Sequence, residues 1–175
     1  MSRRLFLIGP MGAGKTAIGR ELARQLKLEF VDADQEIERR TGADIALIFE
    51  KEGEAGFRKR EREIIAELTQ REGLVLATGG GAVLDPANRE ALKSRGLVIY
   101  LKASVDAQAA RTAQNRNRPL LETEDRQARL QQLFEVRAPL YEDLAELTVD
   151  TDSGQVKQIS QRIITELGRR GVASS

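Results

Sequence analysis

The sequence predicts an α/β fold in which helices cover a parallel sheet of five strands. Three observations carry this prediction: short apolar runs recur along the chain, stretches with helical periodicity separate them, and glycine or polar residues follow the runs. Alternating strands and helices are typical of a parallel sheet, because parallel strands need a crossover between them. The length of 175 residues fits one domain.

Five apolar segments are the predicted strands. Three are continuous runs typical of buried strands, whereas the second and the fifth in the chain are weaker. In order they are Leu5 to Ile8, Phe30 and Val31 before Asp32, Leu74 to Ala77, Leu97 to Leu101, and Leu147 to Val149.

Apolar residues at helical spacing mark three predicted helices. Their stripes are Ile18, Leu22 and Leu26; Ile64, Ile65 and Leu68; and Leu130, Leu133, Phe134, Leu140, Tyr141 and Leu144. Pro139 lies inside the last stripe, so we expect a kink or a helix boundary there. The segment from Asn115 to Asp125 holds little that could be buried and is predicted to be an exposed flap.

Composition excludes several classes of function. The 28 basic and 27 acidic residues leave a net charge of +1, which argues against non-specific binding to nucleic acid or a membrane surface. The chain has no cysteine and no histidine, which excludes disulfides, thiolate sites and imidazole chemistry. Its apolar runs are far shorter than the roughly 18 residues of a membrane span. Because the start also lacks a signal peptide's apolar core, we expect a cytoplasmic protein without nucleic-acid or membrane partners.

The segment from Gly9 to Thr16 matches G-x-x-x-x-G-K-[ST] between a predicted strand and a predicted helix. Its glycines let backbone N–H groups converge on phosphate oxygens, and the helix N-terminus adds a favourable dipole. Lys15 would neutralise the outer phosphates, and Thr16 would offer a hydroxyl to Mg²⁺. A glycine-rich turn without nucleotide is the alternative, but the flanking pattern favours nucleotide binding.

Two acids follow the second predicted strand, in Val31-Asp32-Ala33-Asp34. If the strand runs through them, both carboxylates point the same way at its carboxyl end, where ligands of open parallel sheets bind. Alternatively, Asp34 caps a helix that begins near Gln35. No acid follows the third strand, so a carboxylate near Mg²⁺ must come from elsewhere. Without histidine, a base for a hydroxyl acceptor is also best supplied by a carboxylate.

Three successive glycines, Gly79 to Gly81, directly follow the third predicted strand. The absence of three side chains lets the backbone approach a ligand and present its N–H groups. A flexible loop is the alternative. The position after a core strand favours a binding site.

Two arginines are candidates for binding an anion. Arg137 continues the apolar stripe of its helix, and a buried guanidinium needs an anionic partner unless it snorkels to the surface. Arg58 follows Phe57 near the start of another helix, where Glu61 is within reach to orient it; a solvated ion pair with Glu61 is the alternative. Two guanidinium groups aimed into one pocket would suit a planar carboxylate.

The predicted flap contains a third arginine, Arg118, within Asn115 to Leu121. A flap that closes over a phosphoryl-transfer site excludes water, and an arginine delivered on closure can stabilise the charge that develops. An ordinary exposed loop is the alternative.

Taken together, the ordered motifs resemble the shikimate kinase family, and the resemblance covers about Arg4 to Leu167. The blocks that carry it are Gly9 to Thr16, Asp32-Ala-Asp34, Gly56-Phe57-Arg58, Thr78-Gly-Gly-Gly81, Arg118-Pro-Leu-Leu and Val136-Arg137-Ala-Pro-Leu-Tyr141. The resemblance implies a nucleoside-monophosphate-kinase-like P-loop fold of three layers, with helices on both faces of a five-stranded parallel sheet. Its core would comprise residues 1–32, 62–111 and 125–170, with a substrate-binding region at 33–61 and a lid at 112–124.

The resemblance also implies a reaction and its residues. ATP would phosphorylate shikimate to 3-phosphoshikimate, on the pathway to chorismate and the aromatic amino acids, with Mg²⁺ as the metal. Lys15, Asp34 and Arg118 would be catalytic, Asp34 as the candidate base. The residues implied to bind nucleotide are Gly12, Ala13, Gly14, Lys15, Thr16, Ala17, Arg111, Arg118 and Gly154, with backbone contact alone for Gly154. Those implied to bind shikimate are Asp34, Phe49, Phe57, Arg58, Gly79, Gly80, Gly81 and Arg137, and those for the metal are Thr16 and, through water, Asp32.

Two other functions stay open from the sequence. One is a P-loop kinase of another small hydroxy acid such as gluconate, against which the paired Arg58 and Arg137 and the triple glycine argue. The other is a non-catalytic ATP-binding module, against which the intact Lys15, Thr16, Asp32 and Arg118 argue. The chain is expected to be a monomer.

Overall fold

A computed structural model describes residues 3–113 and 125–171. Five strands form one sheet in the order β2-β3-β1-β4-β5, and every neighbouring pair is parallel. The strands are β1 (Arg4–Ile8), β2 (Glu29–Asp32), β3 (Leu74–Ala77), β4 (Leu97–Lys102) and β5 (Leu147–Asp150). Each predicted strand is present, and the prediction of a parallel five-stranded α/β sheet is confirmed.

Helices cover both faces of this sheet. They are α1 (Lys15–Leu26), α2 (Ala33–Thr41), α3 (Ile45–Leu68), α4 (Pro86–Arg95), α5 (Val105–Thr112), α6 (Arg126–Leu144) and α7 (Val156–Arg169), with a short 3₁₀ helix at Ala82–Leu84. On β1, Phe6 and Ile8 face the core shared with α2, α3, α4 and α6, whereas Leu5 and Leu7 face the core shared with α1 and α7. This alternation makes the three layers. None of the helices in the described ranges is long and apolar enough to cross a membrane.

Pro139 does not end α6, which continues through it to Leu144. Proline removes the hydrogen bond that would reach the carbonyl of Glu135, but both residues are exposed, so water can satisfy that carbonyl. Of the two expectations for Pro139, the helix boundary was therefore wrong, and the kink stays a prediction. α3, by contrast, is interrupted at Gly53, whose φ of 74° lies outside the helical range.

The sheet order places three predicted motifs side by side. Because β2, β3 and β1 are neighbours and all run the same way, their carboxyl ends lie at one edge of the sheet. The phosphate loop leaves β1, the two acids follow β2, and the triple glycine follows β3. The fold thus provides one edge at which phosphate and acceptor groups can meet.

Candidate active site

The phosphate loop connects β1 to α1. Gly12 and Gly14 have φ values of 81° and 90°, a region that glycine enters without strain, and α1 begins directly after Gly14. The Lys15 ammonium group donates hydrogen bonds to the carbonyl oxygens of Gly9 and Pro10, at 2.6 and 2.8 Å. These bonds hold the lysine over the loop, where it can meet phosphate oxygens.

Thr16 and Asp32 are the two oxygen ligands predicted for a metal. The Thr16 hydroxyl donates to Asp32 Oδ2 at 2.7 Å. In the described ranges, no three acidic side chains cluster closely enough to hold a metal ion by themselves. One hydroxyl and one carboxylate beside a phosphate loop nevertheless suit Mg²⁺, which commonly takes its remaining ligands from phosphates and water.

The two acids do not alternate along a strand, so that prediction was wrong. β2 ends at Asp32, which caps α2 because its Oδ1 accepts a hydrogen bond from the Gln35 N–H at 3.1 Å. α2 begins at Ala33, earlier than the sequence indicated, and Asp34 lies in its first turn. The cap is therefore Asp32 and not Asp34.

Each glycine of the triple-glycine turn lies against a different charged residue. A Cβ built on Gly79 would lie 2.8 Å from Asp34 Oδ1, and one on Gly80 would lie 3.4 Å from Arg137 Nη1. At Gly81, a Cβ would overlap the Arg58 guanidinium, whose Cζ would be 2.8 Å away. Asp34 comes from α2, Arg58 from α3 and Arg137 from α6, so this turn is the point where three helices bring their charges together.

Arg58 and Glu61 form a buried ion pair. Arg58 Nη1 lies 2.9 Å from Glu61 Oε1, and the Glu61 side chain is 1% exposed. The alternative of a solvated pair was therefore wrong. Burial raises the pKa of Glu61 to about 7, against the lowering effect of the Arg58 charge, and the Asp34 carboxylate raises it further.

Arg137 is buried on the inner face of α6 and is 4% exposed, as the apolar stripe predicts and in contradiction to snorkelling. Burial lowers the pKa of its guanidinium. Two acids close enough to affect that pKa, Glu54 and Glu61, form their ion pairs with Arg58. A desolvated cation in this position suits an anionic ligand.

A cleft of about 300 Å³ joins the phosphate loop to the glycine turn. The phosphate loop and the start of α1 line it with Met11, Gly12, Gly14, Lys15, Thr16 and Ala17, and the rest of its lining is Asp32, Asp34, Thr78, Gly79, Gly80, Arg111 and Thr112. Of the predicted site residues that the structure describes, those that do not line it are Ala13, Phe49, Phe57, Arg58, Gly81, Arg137 and Gly154. Among them, Arg58 and Arg137 approach the cleft through Gly81 and Gly80.

Phe49 and Phe57, the two aromatic residues predicted for the acceptor pocket, pack on each other. Their ring centroids are 5.0 Å apart, and the Arg58 guanidinium carbon lies 5.2 Å from the Phe57 ring centre. Phe57 therefore packs against the arginine and Phe49 against Phe57, and the contact of both rings with a substrate stays a prediction.

Arg111 ties the phosphate loop to the segment that follows β5. Its guanidinium donates to the Gly12 carbonyl at 2.9 Å and to the Thr151 carbonyl at 2.6 Å. Gly154 lies farther along that segment with a φ of 101°, beside Gln158 and Arg162. The structure therefore brings Arg111 to the cleft and leaves Gly154 outside it.

Arg118, the catalytic residue predicted on the flap, lies outside the described residues, as does the predicted lid from 114 to 124. Of the lid, the structure describes Thr112 and Ala113. Thr112 ends α5 with its hydroxyl donating to the Gln108 carbonyl at 2.7 Å.

Sequence comparison decides between the functions that the motifs left open. A sequence model of the shikimate kinase family matches residues 11–168. The chain belongs to the shikimate kinase family. A shikimate kinase of Methylococcus capsulatus is 56% identical over 169 residues, 97% of this chain and 94% of that protein. One from Shewanella loihica is 52% identical over 166 residues, 95% and 97% of the two chains.

Solved structures agree with this family assignment. A shikimate kinase from Acinetobacter baumannii in complex with shikimate matches with a TM-score of 0.95 and 49% identity, covering 97% of this chain and 95% of that one. A gluconokinase from Sinorhizobium meliloti matches with a TM-score of 0.60 over 97% and 93% of the chains, but at 16% identity it shows the fold alone. The nucleoside-monophosphate-kinase-like P-loop fold is therefore confirmed, and a shikimate kinase is favoured over a gluconate kinase or a non-catalytic module.

Tyr141 belongs to the apolar stripe of α6 and has no separate role among the predicted site residues. Its hydroxyl donates to the Gly80 carbonyl at 2.5 Å, although the whole residue is buried. The signal that could have found it is its position one helical turn after Arg137 on the same buried stripe.

Proposed function

We propose that this chain transfers the γ-phosphoryl group of ATP to the 3-hydroxyl of shikimate, giving ADP and 3-phosphoshikimate for chorismate and aromatic amino acid synthesis. The observation that carries the proposal is the meeting of Asp34, Arg58 and Arg137 at the glycine turn, beside the Lys15 phosphate loop. A carboxylate and two guanidinium groups complement an acceptor that has hydroxyls and a carboxylate. The family assignment supports the same substrate.

On the nucleotide side, the backbone from Gly12 to Ala17 would hold the phosphates and Lys15 would neutralise them. Thr16 and Asp32 would hold Mg²⁺, Asp32 through water, and Arg111 would lie toward the adenine, with backbone contact from Gly154. When bound, Mg²⁺ offsets charge on the phosphate oxygens. The 2.7 Å contact between Thr16 and Asp32 supports this pairing.

On the acceptor side, Arg58 and Arg137 would clamp the carboxylate of shikimate. Asp34 would accept a hydrogen bond from its reacting hydroxyl and is the candidate base. The glycine turn leaves room for the ring, and Phe49 and Phe57 would close the pocket behind it. Because the phosphoryl transition state is loose and highly charged, catalysis would come mainly from positioning and electrostatics, with Arg118 adding a charge on closure.

The same proposal assigns a role to each region of the chain. Residues 33–61 would form the substrate-binding region, 112–124 the lid, and the remainder the core. A monomer suffices, because one chain supplies every group named above. The cytoplasmic location stays a prediction from the sequence.

A coupled assay of ADP release, with and without shikimate, tests the function. We expect ADP release to depend on shikimate and to be absent with gluconate at the same concentration. Equal turnover with gluconate would favour the wider hydroxy-acid kinase, and ATP binding without any turnover would indicate a non-catalytic module. Asp34→Asn is the variant to assay beside the wild-type protein, since it keeps the shape of the side chain but removes the carboxylate charge.

A further inference from the structure

Two stacked tyrosines behind the glycine turn have different environments. Tyr141 on α6 and Tyr100 on β4 are both fully buried, with ring centroids 5.0 Å apart. The Tyr141 hydroxyl donates to the Gly80 carbonyl at 2.5 Å. The Tyr100 hydroxyl, in contrast, has no hydrogen-bond partner in the part of the chain that the structure describes. The buried hydroxyl of Tyr141 is therefore hydrogen-bonded to the glycine turn, whereas the hydroxyl of Tyr100 is not.

The bond from Tyr141 fixes a peptide plane of the site. A carbonyl and the N–H of the next residue point in opposite directions across a trans peptide. Holding the Gly80 carbonyl toward α6 therefore directs the Gly81 N–H away from it. In a turn of three glycines, which have the widest choice of backbone angles, such a fixed plane needs an external restraint.

Tyr141 also adjoins Arg137, which precedes it by one helical turn. A Cβ on Gly80 would lie 3.4 Å from Arg137 Nη1, so the carbonyl that Tyr141 holds and the guanidinium belong to the same small region. Burial raises the pKa of Tyr141 well above its ordinary range, while the nearby charge of Arg137 acts in the opposite direction. The phenol group thus lies close to the charge of Arg137 while it holds the Gly80 carbonyl.

We propose that Tyr141 is a positioning residue for the acceptor carboxylate, because its buried hydroxyl holds the Gly80 peptide in a fixed orientation beside the Arg137 guanidinium. This inference rests on the proposed function, in which Arg137 and Arg58 receive the carboxylate of shikimate beside the glycine turn. Tyr141 touches neither the phosphate loop nor the reacting hydroxyl in this scheme. Its contribution should therefore appear in acceptor binding and be nearly absent from ATP binding.

The test is Tyr141→Phe, which deletes one oxygen and keeps the ring stack. We expect the KM for shikimate to rise by about tenfold, the loss that one well-placed buried hydrogen bond can cause, with kcat falling less than threefold. The KM for ATP should change less than twofold. Tyr100→Phe is the matched control: it deletes the unengaged hydroxyl of the same stack and should leave both KM values unchanged.

Two results would overturn the inference. One is a shikimate KM for Tyr141→Phe no different from that of Tyr100→Phe. The other is a parallel rise of the KM values for shikimate and ATP, which would indicate general loosening of the core. If wild-type protein itself does not convert shikimate, the proposed function fails, and this outcome is seen before any variant is compared.

A second measurement does not depend on the folding of Tyr141→Phe. The chain contains two tyrosines, so 3-fluorotyrosine incorporated into Tyr100→Phe protein labels Tyr141 alone. We expect its ¹⁹F resonance to shift when shikimate saturates the protein and to stay in place when gluconate is added instead. A resonance that shikimate leaves unmoved would contradict the role of Tyr141.

Discussion

Replacing Arg137 by methionine should separate its contribution to binding from its contribution to the fold. The residue is 4% exposed, and burial lowers the pKa of its guanidinium, so the folded protein holds a desolvated cation. Methionine is unbranched and flexible enough to fill much of the same space without charge. Because replacing buried ionic groups by apolar ones of similar volume is often neutral or stabilising, we expect the Tm to stay the same or rise.

The affinity for shikimate should move in the opposite direction. If Arg137 holds the substrate carboxylate, the variant leaves that carboxylate with Arg58 alone in a buried site. Truncating one partner of a buried, hydrogen-bonded charge pair costs about 2 to 5 kcal/mol. Since 1.4 kcal/mol corresponds to a factor of ten, the Kd for shikimate should increase by a factor of between about 30 and several thousand.

Titration calorimetry with shikimate, and separately with ATP, measures both affinities in the same variant. Arg169→Ala is the surface control, because Arg169 is 74% exposed and its pairing with Glu166 is solvated. An unchanged Kd for shikimate would refute the reasoning and make Arg137 a structural residue. Equal losses for shikimate and ATP, together with a lower Tm, would point to damaged packing instead.

Three further predictions address other parts of the site. Lys15→Ala should abolish turnover because the outer phosphates lose their counter-charge; wild-type kcat in the ADP-release assay would remove the loop from the mechanism. Arg118→Ala should lower kcat and barely change the Kd for shikimate; a selective loss of shikimate affinity would assign it to the acceptor pocket. Because the pKa of Glu61 is raised from 4.5 to about 7, its contribution to stability is complete below pH 4.5 and is lost as the pH rises to 7. Urea unfolding should therefore show wild type losing up to about 3 kcal/mol over that interval relative to Glu61→Gln, and parallel pH profiles for the two proteins would contradict the shift.

Local patterns predicted the strands and the phosphate loop well. The predicted strand from Leu74 to Ala77 has the same bounds as β3. The predicted strand from Leu5 to Ile8 matches β1 except that β1 begins one residue earlier, at Arg4. Both runs are buried on the two faces of a parallel sheet, so their apolar signal is continuous and needs no tertiary information. The loop after β1 is equally local, since its glycines, lysine and threonine follow one another in the chain.

The misjudged residues all depend on tertiary packing or on competition between neighbours. Two aspartates can cap the helix after β2, and the sequence alone could not tell that Asp32 would do so and release Asp34 into the first turn. Glu61 lies three residues from Arg58, a spacing common on solvated helix surfaces, and its burial results from the packing of α3 against the glycine turn. Tyr141 fits an apolar stripe by spacing, whereas its hydroxyl acts on a carbonyl 61 residues away.

The glycine turn also explains how three helices bring their charges to one point. β3 lies between β2 and β1, and the turn that follows it carries no side chain at three successive positions. The same missing side chains admit Asp34, Arg137 and Arg58 from three helices. A substitution such as Gly79→Ala would place a methyl group 2.8 Å from Asp34 Oδ1, so the turn cannot gain side chains without displacing the acceptor groups.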